Sequence, residues 1–319
     1  MAADVVPPPR RASDRRDYQA DLDAIAAAVR QELTKGKVAT YIPALARVPR
    51  SKFGIAICSV DGRTAQAGDA NEPFSIQSVS KVFTLQMALR LVGLALWHRV
   101  GREPSGNRFN SLVQLEYEQG IPRNPFINAG AHVVTDCIVT EEADPKKAIL
   151  AEFRRLSGNR EVAFDREVAR SKREHGHWNA AIANFLKAHG NLRANVDKVL
   201  DAYFHQSSIA MSCRELARAR SFLANGGVDV GSGARITTAQ RAKRINAVMM
   251  TCGLYDAVGN FAFRVGIPAT SGVGGGILGI IPGVLSVAVW SLGLDPSGNS
   301  HAGVKALELF TERIGKSVF

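Results

Sequence analysis

The sequence predicts an α+β fold, with an antiparallel sheet built from strands at both ends of the chain, flanked by helices and carrying an inserted helical subdomain. Three observations predict it. Strand-like stretches fall near the two ends, at Phe53–Ala67 and Ile277–Ser291; each holds a tight-turn signal, Asp61-Gly62 or Pro282-Gly283; and helical patterns fill most of the chain between. Residues 1–16 read as a disordered basic tail and 17–319 as one domain, its sheet part at about 17–80 and 227–319 and its helical part at about 81–226.

Taken in order, Asp17 to Leu33 is helical through Leu22, Ile25, Ala26, Val29 and Leu33, and Gly36 closes it between Lys35 and Lys37. Phe53 to Ser59 is a strand, Asp61-Gly62 a hairpin turn, and Thr64 to Ala67 the returning strand. The stretch from Ser78 to Leu96 is apolar all round, the mark of a buried helix. Gly101–Asn110 and Arg123–Gly130 are irregular, the second leading into a helix through Val133, Val134, Cys137 and Ile138. Helical patterns continue at Lys146–Leu156, Arg166–Ser171 and Ala180–Ala188. Ser212 and Glu215 form a capping box for a helix that ends at Asn225-Gly226-Gly227, and Thr237 with Gln240 opens the next. Ile277–Ile281 and Val284–Ser291 form a buried hairpin around Pro282-Gly283, and Ala302–Ile314 is a closing helix.

Composition narrows the function. The chain has 319 residues, 46% of them hydrophobic, enough for a substantial core. Its four cysteines, Cys58, Cys137, Cys213 and Cys252, are far apart and fit buried thiols in a reducing, cytoplasmic compartment. The N-terminus has no apolar run of the kind a signal peptide needs. A net charge of +11 raises nucleic acid as a partner, but the basic residues are scattered and no base-reading motif accompanies them. The uncharged stretch from Val265 to Leu294 invites a membrane span, yet Pro268, Pro282 and eight glycines interrupt it. Neither partner class is expected.

The chemistry centres on Ser78 and Lys81. Residues three apart share a helical face. A desolvated lysine loses its preference for the charged form, and a serine beside such a base is an activated nucleophile. An isolated Ser-x-x-Lys is more simply a capping serine with a solvated lysine, so context has to decide. Gly274 to Gly279 matches a dinucleotide-binding string but is followed by β-branched residues and Pro282-Gly283, not a helix. His175 and His177 lack further ligands for a metal, and no cofactor is implied.

That context is a set of ordered strings: Tyr41-Ile42-Pro43, Gln77-Ser78-Val79-Ser80-Lys81, Gly101-Arg102-Glu103-Pro104-Ser105-Gly106, Asn124-Pro125-Phe126-Ile127-Asn128-Ala129-Gly130, Leu223-Ala224-Asn225-Gly226-Gly227, Cys252-Gly253-Leu254-Tyr255-Asp256 and Ser271-Gly272-Val273-Gly274-Gly275-Gly276. Together they resemble the serine-dependent glutaminases of bacterial type, over about Tyr18 to Phe319. The resemblance implies a β-lactamase/transpeptidase-like fold and an amidohydrolase that turns L-glutamine into L-glutamate and ammonia through a γ-glutamyl-Ser78 intermediate. It implies Ser78, Lys81 and Tyr255 as catalytic residues, with the backbone amides of Ser78 and Val273 as an oxyanion hole. Tyr41, Asn128, Asn179 and Tyr203 would hold the substrate's α-amino and α-carboxylate groups, and a homo-oligomer is expected.

Three positions depart from the family pattern. Lys172 stands where the family has a substrate-contacting glutamate, Trp178 where it has arginine, and Thr270 where it has the lysine of a Lys-Ser-Gly element. A cation beside a substrate ammonium repels it. The alternative expectation is therefore a homologue of impaired activity or altered specificity that binds an amino acid or another amide. A β-lactam or peptide hydrolase is disfavoured, because no Ser-Asp-Asn or Lys-Thr-Gly accompanies Ser78.

Overall fold

The computed structural model describes residues 16–40 and 42–319, so the basic stretch 1–15 and the expected substrate residue Tyr41 lie outside the described residues. Among the described residues there are eight strands: β1 (Gly54–Ser59), β2 (Thr64–Gly68), β3 (Phe74–Ser75), β4 (Ala163–Phe164), β5 (Ile209–Met211), β6 (Ala269–Ser271), β7 (Gly276–Ile281) and β8 (Leu285–Trp290). The helices are α1 (Tyr18–Ala28), α2 (Pro43–Ala46), α3 (Ser80–Leu91), α4 (Leu112–Tyr117), α5 (Asn128–Glu141), α6 (Pro145–Ser157), α7 (Arg166–Glu174), α8 (His177–Ala188), α9 (Val196–Ser207), α10 (Cys213–Ala224), α11 (Ala239–Cys252), α12 (Val258–Arg264) and α13 (His301–Ile314).

The main sheet is antiparallel, in the order β2-β1-β8-β7-β6, and so joins strands from both ends of the chain as expected. Two tight turns set its register. The Asp61-Gly62 turn pairs Cys58 with Thr64, and the Pro282-Gly283 turn pairs Ile281 with Leu285. Gly62 and Gly283 both adopt positive φ, which only glycine takes without strain. The central pairing, β1 with β8, runs from Gly54 opposite Trp290 to Ser59 opposite Leu285.

Side chains alternate across each strand, and here both faces are covered. Ile55, Ile57, Ile277, Ile281, Val287 and Val289 point to one core, completed by Leu22 and Ile25 of α1 and Leu307 and Phe310 of α13. Ala56, Cys58, Leu278, Ile280, Ala288 and Trp290 point to the other, which continues into the helices. That is why β1, β7 and β8 are apolar at nearly every position. α10 lies against β1 and β8 on this second side. Its N-terminus carries the expected capping box, with Ser212 accepting from the Glu215 amide and Glu215 accepting from the Ser212 amide.

The structure differs from the sequence reading in several places, and the short helices α2, α4 and α12 have no counterpart in it. Ser78 lies in a 3-10 turn, Gln77–Val79, that precedes α3, and the helix ends at Leu91 before a second 3-10 segment, Gly93–His98. The cap of α11 is Thr238, whose side chain accepts from the Arg241 amide, so the start falls one residue after Thr237. α9 went unread, although Asn195 caps it and Val199, Leu200 and Tyr203 repeat at helical spacing. A small sheet, β3-β5-β4, was also unread, because its strands are only two or three residues long. All four cysteines are free and buried, and among the described residues no helix is long and apolar enough to cross a membrane.

Candidate active site

The site forms where the helical part meets the sheet. Strand β3 brings the chain to Ser78, and the glycine run between β6 and β7 passes directly against this turn. A side-chain carbon on Gly272 would sit 2.6 Å from the Ile76 carbonyl oxygen and 3.0 Å from the Ser78 nitrogen; one on Gly274 would sit 2.1 Å from the Ser75 carbonyl oxygen. Glycine is required at these positions because backbone touches backbone. The glycine run is thereby explained by close packing against the Ser78 turn, and it runs on into a strand rather than a nucleotide-binding helix.

Two residues beside Ser78 carry unusual backbone. Gln77 (φ 49°) and Tyr255 (φ 58°) both occupy the left-handed region, which side chains with a β-carbon seldom adopt. Such strain persists only where the surroundings enforce it, and it concentrates at functional sites. At Gln77, the side-chain amide donates to Ser75 Oγ at 2.8 Å and its carbonyl accepts from Lys172 Nζ at 2.7 Å.

Ser78 is only partly buried and opens on a small cleft. Gln77, Ser78, Asn128, Lys172, Asn179, Tyr203 and Val273 line it, joined by Ile42, Phe109, Ser171, His175 and Gly176. Lys81 and Tyr255 stand behind this wall. The Lys81 ammonium is buried and donates to the Phe126 carbonyl and to Asn128 Oδ1, both at 2.8 Å. Burial holds it well below the usual lysine range, and Lys172 pushes in the same direction.

Tyr255 is also buried. Desolvation raises its phenol pKa, while contacts to Ser78 and Ser271 act against that rise. Its hydroxyl donates to the Ser271 carbonyl at 3.2 Å, and its ring packs on Phe109, centroids 4.8 Å apart. Ser271 is itself pinned by its hydroxyl donating to Asn299 Oδ1 at 2.5 Å.

Of the expected substrate residues, Asn128, Tyr203 and Asn179 are brought together in a single chain of contacts. Asn128, the first residue of α5, accepts from Lys81 and, at 3.2 Å, from the Tyr203 hydroxyl, while its side-chain amide donates to Asn179 Oδ1 at 3.1 Å. One turn along α5, His132 is fully buried with its ring edge-on to Tyr203, 4.5 Å between centroids. Burial and the nearby Lys81 lower its pKa to about 3, with Asn179 acting the other way, so the imidazole is neutral at ordinary pH. His132, Gln77, Phe109 and His175 were missed as site residues. Gln77 and Phe109 fell in stretches that were singled out; His132 gave no signal, because a lone histidine on an apolar helical face is ordinarily a core residue.

Of the three departures from the family pattern, only Lys172 reaches the cleft. Trp178 is half exposed and donates its ring N–H to the Asn110 carbonyl, and Thr270 is buried in β6. The ammonium end of Lys172 is enclosed, although part of its side chain reaches the surface, and desolvation lowers its pKa to about 7.

Comparison with known proteins agrees with this geometry. The family model described as Glutaminase matches residues 36–319. A glutaminase of Aeromonas salmonicida is 56% identical over 299 residues, covering 93% of this chain and 98% of that protein. Among solved structures, a probable glutaminase, ybaS, superposes with a TM-score of 0.88 at 37% identity, covering 94% of this chain and 98% of that one. Mglu in its glutamate form gives a TM-score of 0.88 at 33% identity, over 96% of this chain and 70% of that one. The architecture is the β-lactamase-like one of these glutaminases. With the match running through both the sheet and the helical part, and with Ile42, Gln77, Ser78, Asn128 and Val273 from four of the ordered strings lining one cleft, the chain belongs to the glutaminase family.

Proposed function

We propose that the protein hydrolyses L-glutamine to L-glutamate and ammonia, with Ser78 as the nucleophile. The observation that carries this reading is the partly exposed Ser78, backed by a buried lysine of lowered pKa and contacted by the Tyr255 hydroxyl. Ser78 Oγ attacks the side-chain carboxamide carbon, and its proton passes to Lys81 or Tyr255. The oxygen of the tetrahedral intermediate collects negative charge, and the backbone amides of Ser78 and Val273 are the donors assigned to it. Collapse breaks the C–N bond, and the nitrogen leaves as ammonia after taking up a proton from the same pair of groups. Water then adds to the γ-glutamyl ester, and glutamate departs as Ser78 recovers its proton.

Asn128, Asn179 and Tyr203, together with Tyr41, are assigned to hold the amino-acid end of the substrate. The hydrogen bonds joining Asn128 to Tyr203 and Asn179 support their acting as a unit. Relatives named Glutaminase at 54–56% identity over most of both chains support turnover of glutamine over the reading of an impaired homologue. A cytoplasmic location accompanies this reading, supported by four free cysteines, as does assembly into a homo-oligomer.

The test is ammonia release from L-glutamine, D-glutamine and L-asparagine, with Ser78→Ala as control. The wild-type protein is expected to act on L-glutamine, and Ser78→Ala to lose roughly 10³-fold or more. Undiminished turnover by Ser78→Ala would remove Ser78 from the mechanism.

A further inference from the structure

One buried polar group beside the cleft takes no part in the reaction. His132 lies on α5, one turn beyond Asn128, and is fully enclosed. Neither ring nitrogen has a hydrogen bond of full geometry among the described residues. A buried polar group without a firm partner carries a desolvation cost that an apolar side chain in its place would not. Such groups are uncommon in folded proteins, and each calls for a reason.

The surroundings supply one. The ring stands edge-on to Tyr203, centroids 4.5 Å apart, and its polar neighbour is Asn179, which favours the protonated form of the ring. A group that does so presents an acceptor, so the carboxamide oxygen of Asn179 is the atom turned toward the imidazole. The same oxygen accepts from Asn128 Nδ2 at 3.1 Å. The two ends of an asparagine carboxamide are nearly alike in shape, so its hydrogen-bond partners decide which end faces inward. Here two donors, Asn128 and the ring N–H, lie on the inner side. The amide nitrogen of Asn179 is then the atom presented to the cleft that Asn179 lines, as a donor to an anionic group of the ligand. Burial and the nearby Lys81 keep the imidazole neutral, so it supplies this N–H without adding a further cation beside Lys81 and Lys172.

We infer that His132 is a positioning residue for L-glutamine: its ring N–H holds the Asn179 side chain with the oxygen inward and the amide nitrogen toward the substrate's α-carboxylate. This inference rests on the amidase reading above and leaves its chemistry unchanged. His132 touches neither the substrate nor the reacting atoms. It acts on affinity, through Asn179.

The experiment measures kcat and KM for L-glutamine in variants of these two residues. His132→Phe keeps a ring against Tyr203 but has no N–H. Its KM is expected to rise about three- to tenfold, with kcat changed by less than about twofold. His132→Gln restores a donor without the ring and is expected to recover most of that KM. Added to Asn179→Ala, His132→Phe is expected to cause no further loss, since its effect runs through Asn179. An unchanged KM in His132→Phe, a fall in kcat that matches the rise in KM, or a full additional loss in the double variant would each overturn the inference. Should wild-type protein release no ammonia from L-glutamine, the amidase reading fails. Calorimetric binding of L-glutamate then decides the inference alone: weaker binding by His132→Phe with recovery in His132→Gln supports it, and equal binding overturns it. If His132→Phe does not fold, His132→Leu is read in its place.

Discussion

Single residues set the charge of this site, and the lysine at 172 has a measurable consequence. Its pKa of about 7 makes it cationic below neutrality and uncharged above. The ionisable groups around it are Lys81 from α3, His132 from α5, Tyr203 from α9 and His175 just past the end of its own helix, with no carboxylate in the lining. His132 is neutral down to about pH 3, so it adds no charge in the working range. The like-charge penalty on an α-ammonium is therefore present below pH 7 and is lost as pH rises through that value. KM for L-glutamine is expected to fall over this window with little change in kcat from this group, as initial-rate measurements from pH 6 to pH 8 would show. A KM that is flat or rises across the window would contradict the argument. At this scale the sequence was partly legible. Ser78 and Lys81 become legible only through the ordered strings around them, and Lys172 through its departure from a pattern. Gln77 and His132 do not, because their importance lies in a backbone angle and in contacts made across the chain.

Elements position these residues, and the tightest joint is between the glycine run and the Ser78 turn. Gly272→Ala would place a methyl group 2.6 Å from the Ile76 carbonyl oxygen. Two segments of backbone would have to separate, and with them the amides of Ser78 and Val273. Displacements of this order near reacting groups cost about 10²-fold in rate. We expect Gly272→Ala to lower kcat for amide hydrolysis by about that factor while the fold persists; circular dichroism and kcat measured together would check it, and full activity would show that the amide spacing tolerates change. Strands and hairpins were legible because their signals are local: alternation, apolar runs and glycine turns. The cap at Thr238 was missed by one residue because Thr237 and Thr238 are chemically equivalent candidates. Strands β3, β4 and β5 were invisible because two or three residues carry no period.

The whole molecule buries two cores on opposite sides of one sheet, and what it leaves uncovered is informative too. Val113, Tyr117 and Ile121 recur at intervals of four and are 63%, 82% and 46% exposed, an apolar stripe along α4 and the turn after it. Such a surface fits the proposed homo-oligomer. Tyr117→Arg is expected to lower the sedimentation mass toward that of one chain, and a monomeric wild-type protein would remove the assembly from the account. The overall architecture was legible because β-rich segments lie near both ends with helices between. The joining of those ends into one sheet is written in no local pattern and follows only from the need to bury β1 on both faces.

That joining sets the order of events during synthesis. β1 is complete at Ser59, but its neighbour β8 begins only at Leu285, and Val273 also belongs to this late portion. At roughly 5–20 residues per second the ribosome needs about 10–45 s to cover the gap. Throughout it, the β1–β2 hairpin leaves the nascent chain with one long apolar edge open, a template for pairing with another copy. Ser78 emerges early and Val273 late, so the proposed site is incomplete until translation is nearly finished. Polysomes crowded with this message are where aggregation would begin.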